Sequence, residues 1–504
     1  MSTQTSSGFS GKIRGFLKKI ASEEKEKIER ELPFVVMIFT LLAASGVSPY
    51  DSWKKVRKMN FFPMFKKEAE EIIRQVEVLG KGLLQAMAQR AESTNSKLYR
   101  NFISGFAASI RSGGKTVDYM KSELRAIFEL RHNSMSRSVE RIATLVEAYT
   151  VMLIVVLCLY ILFVVFASTN TLELLTNTSI TISPLMSYLV AFVLMPVMSL
   201  FFILIAHNMQ QSSFENLQDL YRKAAIVLMA TGITLSVFIL YPPLADMLKP
   251  AGLPEIVTIG LVTSSTVPAI QYWRIAKTNY DAEDAVPSLV REITEARKIG
   301  LSPEKSIIHA TKRKYHGSFS KYLDLLRSQI EWGAPLRKTY ENLKRQIRSW
   351  FVTVNFAMLI ETIEIGGSST QSLEILSDYS EKERELQINK RALLKPYIIL
   401  AFIWSILIAV TTTIVALTTY MMSSVVSMSL APVAYMAMQE QLRMFSVGII
   451  LQCWISGFFI GKISEGNLGA GFQYSAMLAA VAYLSLVLSQ QFLSNMFTVT
   501  AIVP

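Results

Sequence analysis

This sequence is short of charge. Only 18% of its 504 residues are Asp, Glu, Lys or Arg, while 51% are hydrophobic. A soluble globular domain carries about 25% charged residues, so a wholly soluble enzyme of this length is excluded. Histidine is scarcer still: His132, His207, His309 and His316 are scattered, with no pair at the spacing that holds a zinc ion. The two cysteines, Cys158 and Cys453, lie inside apolar runs without ligand spacing and read as packing residues. A phosphate loop is missing too. Ser112-Gly113-Gly114-Lys115-Thr116 ends like one, but the position five residues before its last Gly is Ser109 rather than Gly. The long apolar runs carry acidic groups only at their edges, Glu147 and Glu255, which removes the buried carboxylates that ion-driven machines use. No catalytic residue, cofactor or metal is expected, and the chain is not expected to be an enzyme.

The charge that is present is unevenly placed. Apart from Arg222, Lys223, Lys249, Arg443 and Lys462, every Lys and Arg falls in residues 1–147 or 273–396. Two basic soluble regions therefore alternate with two nearly charge-free blocks, 148–272 and 397–504. Spans of membrane length occur at Ala148–Ala167, Pro184–Ala206, Ala225–Leu240 and Glu255–Trp273, then near 397–420, 443–461 and 469–490. The stretches 421–438 and Phe492–Pro504 are open between re-entrant and extra helices, giving seven to nine spans. The positive-inside rule places residues 1–147 in the cytoplasm, and four crossings return the chain there for its second basic region. The C-terminus then lies outside the plasma membrane. The apolar run arrives late and acidic residues precede it, so no cleavable signal peptide is expected.

Residues 1–11, rich in Ser, Thr and Gly, read as unordered. Ile13, Phe16, Leu17 and Ile20 form an apolar stripe among Lys12, Arg14, Lys18 and Lys19, which suits an anionic lipid surface or the protein's own domain equally. Residues 1–32 are thus a tail with an amphipathic helix. Phe34–Ala44 is too short to span and reads as a buried core helix of the first bundle, 33–147.

The second bundle, 273–396, has apolar residues at helical spacing (Leu289, Ile293, Ala296). It shares landmarks with the first. Gly46-Val-Ser-Pro49 answers Gly300-Leu-Ser-Pro303, Gly80 answers Gly333, and Gly113-Gly114 answers Gly366-Gly367, at an offset of 253 or 254 residues. Three landmarks in one register argue for a duplicated unit. The fold class expected is all-α: a polytopic membrane protein with two helical bundles.

Three basic clusters are the candidate docking surface: Lys312, Arg313 and Lys314; Arg337, Lys338, Lys344, Arg345 and Arg348; and Lys54, Lys55, Arg57 and Lys58, with Lys66 and Lys67 nearby. They suit an acidic protein partner, lipid headgroups or plain solvation. Nothing in the pattern is a nucleic-acid module.

Twice-repeated helical bundles, each followed by spans and broken at Gly-x-Ser-Pro and Gly-Gly-Ser, resemble the type II secretion F domain of type IV pilus-like platform proteins. Glu364-Ile365-Gly366-Gly367 is similar to the family's Gly-Glu-x-Ser-Gly pattern, with Ile363 and Gly366 replacing its first Gly and its Ser. Arg111 stands at the acid's place in the first copy, so a role for that acid is not duplicated. Leu373, Leu376 and Tyr379 match the Leu and Tyr positions that follow. The long first bundle and the span number are more similar to the archaeal branch, the platforms of archaella and then of adhesion pili. The resemblance implies a non-catalytic platform on which a cytoplasmic hexameric secretion ATPase acts. Its spans would hand pilin-like subunits from the bilayer to a filament and, in an archaellum, transmit rotation; a homodimer would match the motor's symmetry. The residues themselves leave two other classes open: the membrane subunit of an ATPase-driven transporter, which should have short coupling loops, and a non-motor membrane scaffold.

Overall fold

The computed structural model describes residues 5–59, 62–113, 115–173, 185–210, 214, 217–240, 252–315, 317–364, 370–426 and 431–500. Among these there is no strand. The helices are α1 (Thr5–Ala44), α2 (Pro49–Lys58), α3 (Pro63–Glu77), α4 (Leu83–Ser93), α5 (Lys97–Arg111) and α6 (Thr116–Glu173); α7 (Leu185–Leu189), α8 (Met195–Met209) and α9 (Gln218–Leu240); then α10 (Leu253–Lys298), α11 (Pro303–Thr311), α12 (Ser320–Glu331), α13 (Leu336–Gln346), α14 (Trp350–Glu364), α15 (Thr370–Val426), α16 (Ala431–Glu465) and α17 (Leu468–Thr500). The chain forms two compact units, one of residues 1–135 with 278–386, the other of 136–277 with 387–504.

The duplication is visible as a repeated order of elements. α1 to α6 and α10 to α15 are both a long helix, four short ones and a long helix, and their breaks carry the landmarks. Gly46, Gly80, Gly113, Gly300 and Gly333 all have positive φ; Gly114, Gly366 and Gly367 lie outside the described residues. At Gly300, φ is +90°, a region costly for any residue with a β-carbon. Leu301 N–H reaches back to the Ala296 carbonyl at 3.2 Å and ends α10. Two residues on, the Ser302 side chain accepts the Lys305 N–H at 3.3 Å while Pro303 occupies the first turn of α11. Gly46, Ser48 and Pro49 repeat this, with Ser48 Oγ accepting the Asp51 N–H at 3.1 Å. The Gly-x-Ser-Pro landmark is thus a helix stop, a cap and a helix start in four residues.

Both lobes of the first unit share one core. Phe34 to Phe39 are buried on every side of α1, as a helix without a polar face must be. Phe39 packs edge-on against Trp53 and Phe106 of its own lobe at 4.7 and 5.5 Å. Phe34 meets Trp350 and Tyr379 of the second lobe at 4.3 and 5.7 Å. Residues 34–44 therefore serve both bundles, beyond the role expected for the first alone. Helix α1 also extends back to Thr5, into the stretch expected to be unordered; the side chains of the Ile13, Phe16, Leu17, Ile20 stripe are outside the described residues.

Among the described residues, seven helices are long and apolar enough to cross a membrane. In the second unit, apolar side chains such as Val151, Ile154 and Val155 on α6, or Ile226, Met229 and Ile233 on α9, point away from protein, which suits acyl chains. The stretch 421–438 falls on the end of α15 and the start of α16, with 427–430 outside the described residues. Residues 492–500 simply prolong α17. A π-turn at Val190–Leu194 joins α7 to α8, because Pro196 has no N–H to give the carbonyl four residues back.

Helices α16 and α17 form a close hairpin. Gly457 and Gly461 of α16 face Ser475 and Gly471 of α17, and a β-carbon at either glycine would overlap the opposing backbone. Small residues four apart let membrane helices approach this closely. At the end of α16 the buried Lys462 ammonium donates to the carbonyls of Gln210 and Gly466 at 2.7 and 2.8 Å. Orphan carbonyls at a helix C-terminus are suited to a cation.

Candidate partner interface

The first unit has two ends, because its short helices alternate in direction. At one end lie the turns after α1, α3, α10 and α12. Ser45 Oγ and Ser372 Oγ, 3.2 Å apart, tie the end of α1 to the start of α15. Lys298 and Glu374, at 3.0 Å, do the same for α10 and α15. Tyr50 donates to Glu77 at 2.8 Å, setting the end of α3 beside the start of α2. Arg337 pairs with Glu361 at 3.2 Å, setting the start of α13 beside the end of α14.

The opposite end is built on residues 279–284 of α10. Asn279 Oδ1 accepts the N–H groups of Arg348 and Ser349 at 2.8 and 2.9 Å. Asp281 Oδ2 accepts the Ser318 N–H at 2.6 Å. Glu283 is 2% exposed and takes the Ser349 hydroxyl at 2.7 Å and the Arg384 guanidinium at 3.0 Å. Arg384 also pairs with Asp284. One residue earlier on α15, Glu383 takes Arg131 of α6 at 2.8 Å, and that guanidinium stacks on Phe34 at 4.9 Å. Two successive residues of α15 thus clasp α10 and α6.

The basic residues singled out in the sequence divide between these ends. Arg337 and Lys338 are in the first turn of α13, while Lys344 and Arg345 are exposed in its last turn, about 10 Å further along at 1.5 Å per residue. Arg348 is held at the α10 end by Asn279, with Lys344 and Arg345 just before it. The exposed turn Lys312, Arg313, Lys314 sits further along α10, where Arg313 is paired with Glu292, so the geometry splits the Arg337–Arg348 cluster between the two ends. In the first lobe Lys54 and Arg57 both close on Glu77 at 3.3 Å. The Tyr50 hydroxyl and these cations hold the Glu77 carboxyl below its ordinary range, while Lys55 is half-buried and Lys58 exposed.

Glu364, at the family's acidic position, is exposed at the last residue of α14. The carboxyl three residues earlier is the held one: burial raises Glu361's pKa, and Arg337 opposes the rise. Glu31 behaves similarly. Burial raises it, although it accepts the N–H groups of Phe65 and Met64 at 3.1 Å at the head of α3. The reading from sequence missed the Glu283–Arg384 and Arg131–Glu383 pairs. Their signal was a charge on an apolar stripe: Glu283 sits among Ala282, Val286 and Leu289, all buried.

Within the second unit, Tyr149, Ser199, Gln452 and Ser456 form a buried polar knot. The tyrosine hydroxyl lies 3.0 and 2.7 Å from the two serines, and Gln452 Nε2 donates to Ser199 at 2.7 Å. Ser265, in the polar stretch 263–266, accepts the Trp454 indole N–H at 2.8 Å, so that residue packs helices of its own chain. No group of His, Cys, Asp and Glu able to hold a metal occurs among the described residues.

A family model described as type II secretion system protein F matches this chain twice, at residues 36–164 and 289–417. An uncharacterized protein of Methanocaldococcus jannaschii is similar at 19% identity over 492 residues, covering 92% of this chain and 80% of that one. No solved structure matches it. The two matches together span more than half of the sequence and fall on the two lobes with their following spans. This multi-pass membrane chain therefore belongs to the type II secretion system protein F family, with the family's unit present twice.

Proposed function

We propose that the chain is the plasma-membrane platform of a type IV pilus-like machine, coupling a cytoplasmic hexameric secretion ATPase to assembly of a pilin-like filament. The observation that carries this is the continuity of α6, α10 and α15. Each is a single helix that includes residues of the two-lobed unit and a membrane-length apolar run, which is the connection by which a push on the lobes would reach the spans. Both lobes are then cytoplasmic and the C-terminus outside, and the chain burns no fuel itself. The exposed cations Lys312, Lys314, Lys338, Lys344 and Arg345 steer an acidic partner in. An archaeal filament is favoured by the span number and the archaeal relative, with the archaellum ahead of an adhesion pilus and a homodimer as the working form.

Deleting the gene is expected to abolish surface filaments while pilin-like subunits accumulate in the membrane, and the intact chain is expected to restore them. Scoring swimming and surface attachment separately identifies the filament. Normal filament numbers in the deletion strain would refute the reading.

A further inference from the structure

At the end of the first unit away from the Glu283–Arg384 pair, large apolar side chains face solvent. Trp332 is 90% exposed, Ile299 75%, Val78 74% and Leu79 58%. None of the four lies on a span; each sits in a turn closing a short or long helix, within two residues of Gly80, Gly300 or Gly333. The turns are closed by backbone hydrogen bonds. Trp332 N–H is held by the Ser328 carbonyl at 3.0 Å, and Ala334 N–H reaches the Gln329 carbonyl at 2.9 Å. Leu79 N–H is held by the Arg74 carbonyl at 3.3 Å. An indole fixed in water without a partner is unusual in a soluble region and is the side chain most enriched where partners bind tightly.

Position matters as much as exposure. Leu79 and Trp332 occupy equivalent places in the two copies, 253 residues apart, each directly before a positive-φ glycine. The ties Ser45–Ser372 and Lys298–Glu374 put both turns at the same end of one body. One chain therefore presents the same kind of knob twice at one end. A partner with a single pocket uses only one. A partner built of identical subunits offers the pocket repeatedly and can take both, and two linked contacts hold far longer than either alone.

We infer that Leu79 and Trp332 are paired apolar anchors that seat this chain on a homo-oligomeric protein ring with repeated apolar sockets. The inference rests on the platform reading and names what retains its ATPase: the cations speed the approach, and the knobs slow the departure.

The test uses the full chain in detergent and the purified hexameric secretion ATPase of the same organism, with association and dissociation rates measured separately. Leu79→Ser and Trp332→Ser should each raise the dissociation rate at least tenfold, and the double variant should abolish stable capture, with thermal stability little changed because both side chains are mostly exposed. Lys338→Glu, at the exposed head of α13 on the same end as the knobs, should instead slow association. If the unaltered chain captures the ATPase and the double Ser variant dissociates at the same rate, the anchor assignment is wrong and the platform reading stands. If the unaltered chain does not capture it at all, the platform reading itself fails. Loss of self-association without loss of capture would show that the knobs seat a second copy, and would overturn the inference.

Discussion

Arg384→Ala is expected to destabilise the two-lobed unit by about 3–5 kcal/mol, the usual cost of leaving one member of a buried ion pair alone. Glu283 is 3% exposed at its side chain and Arg384 9%, so water cannot replace the lost partner. The neighbouring Asp284 is mostly exposed and contributes little. The penalty belongs to the stranded carboxylate rather than to the missing attraction. The double variant Glu283→Gln with Arg384→Met should therefore recover most of the loss, because a neutral amide still takes the Ser349 hydroxyl. Thermal unfolding of the full chain in detergent, followed by tryptophan fluorescence, reads both. A single variant as stable as the parent would show that the pair is solvated. Loss of the clasp should also lower filament number, since Arg384 and Glu383 bind α15 to the two other helices that continue into spans.

Gly457→Leu should leave almost no folded protein in the membrane. A β-carbon alone already meets the Ser475 backbone, and backbone cannot move aside as a flexible side chain would. Even Gly457→Ala is expected to cost about 1–3 kcal/mol by overpacking. The chain supplies its own control in Gly232 of α9, where nothing lies within 4 Å of the added carbon. There Gly→Ala should be neutral or stabilising by up to about 1 kcal/mol, since alanine is the better helix former. Yield of monodisperse protein and melting temperature distinguish the two. Equal tolerance at both glycines would mean that α16 and α17 are not in backbone contact.

The architecture was legible because membrane spans and helix breaks are written in single residue types. Runs near twenty residues without charge mark the spans, and Gly-x-Ser-Pro marks the stops and caps at Gly46 and Gly300. The duplication followed from landmark spacing alone. The Gly457-x-x-x-Gly461 contact was equally readable but passed unnoticed inside a general apolar run. Packing between distant segments was not readable: nothing local tells that Phe34 meets Trp350, or that Ser45 meets Ser372, more than three hundred residues later. The candidate interface was hardest for the same reason. Cationic residues of one short helix, such as Arg337 and Arg345, are carried to its opposite ends, and Lys54 and Arg57 close on a glutamate of the next helix. The exposure of Trp332 depends on what the surrounding turns leave uncovered, which composition does not record.

A platform of this kind needs both lobes to form one body in one aqueous compartment. The decisive measurement introduces a single cysteine into each lobe in separate variants, at the exposed Ser93 and Ser328, with Cys158 and Cys453 replaced by serine. A membrane-impermeant maleimide is then applied to intact cells and to broken ones. Labelling of both positions only after the membrane is broken is the predicted result. Labelling of either position on intact cells would contradict it.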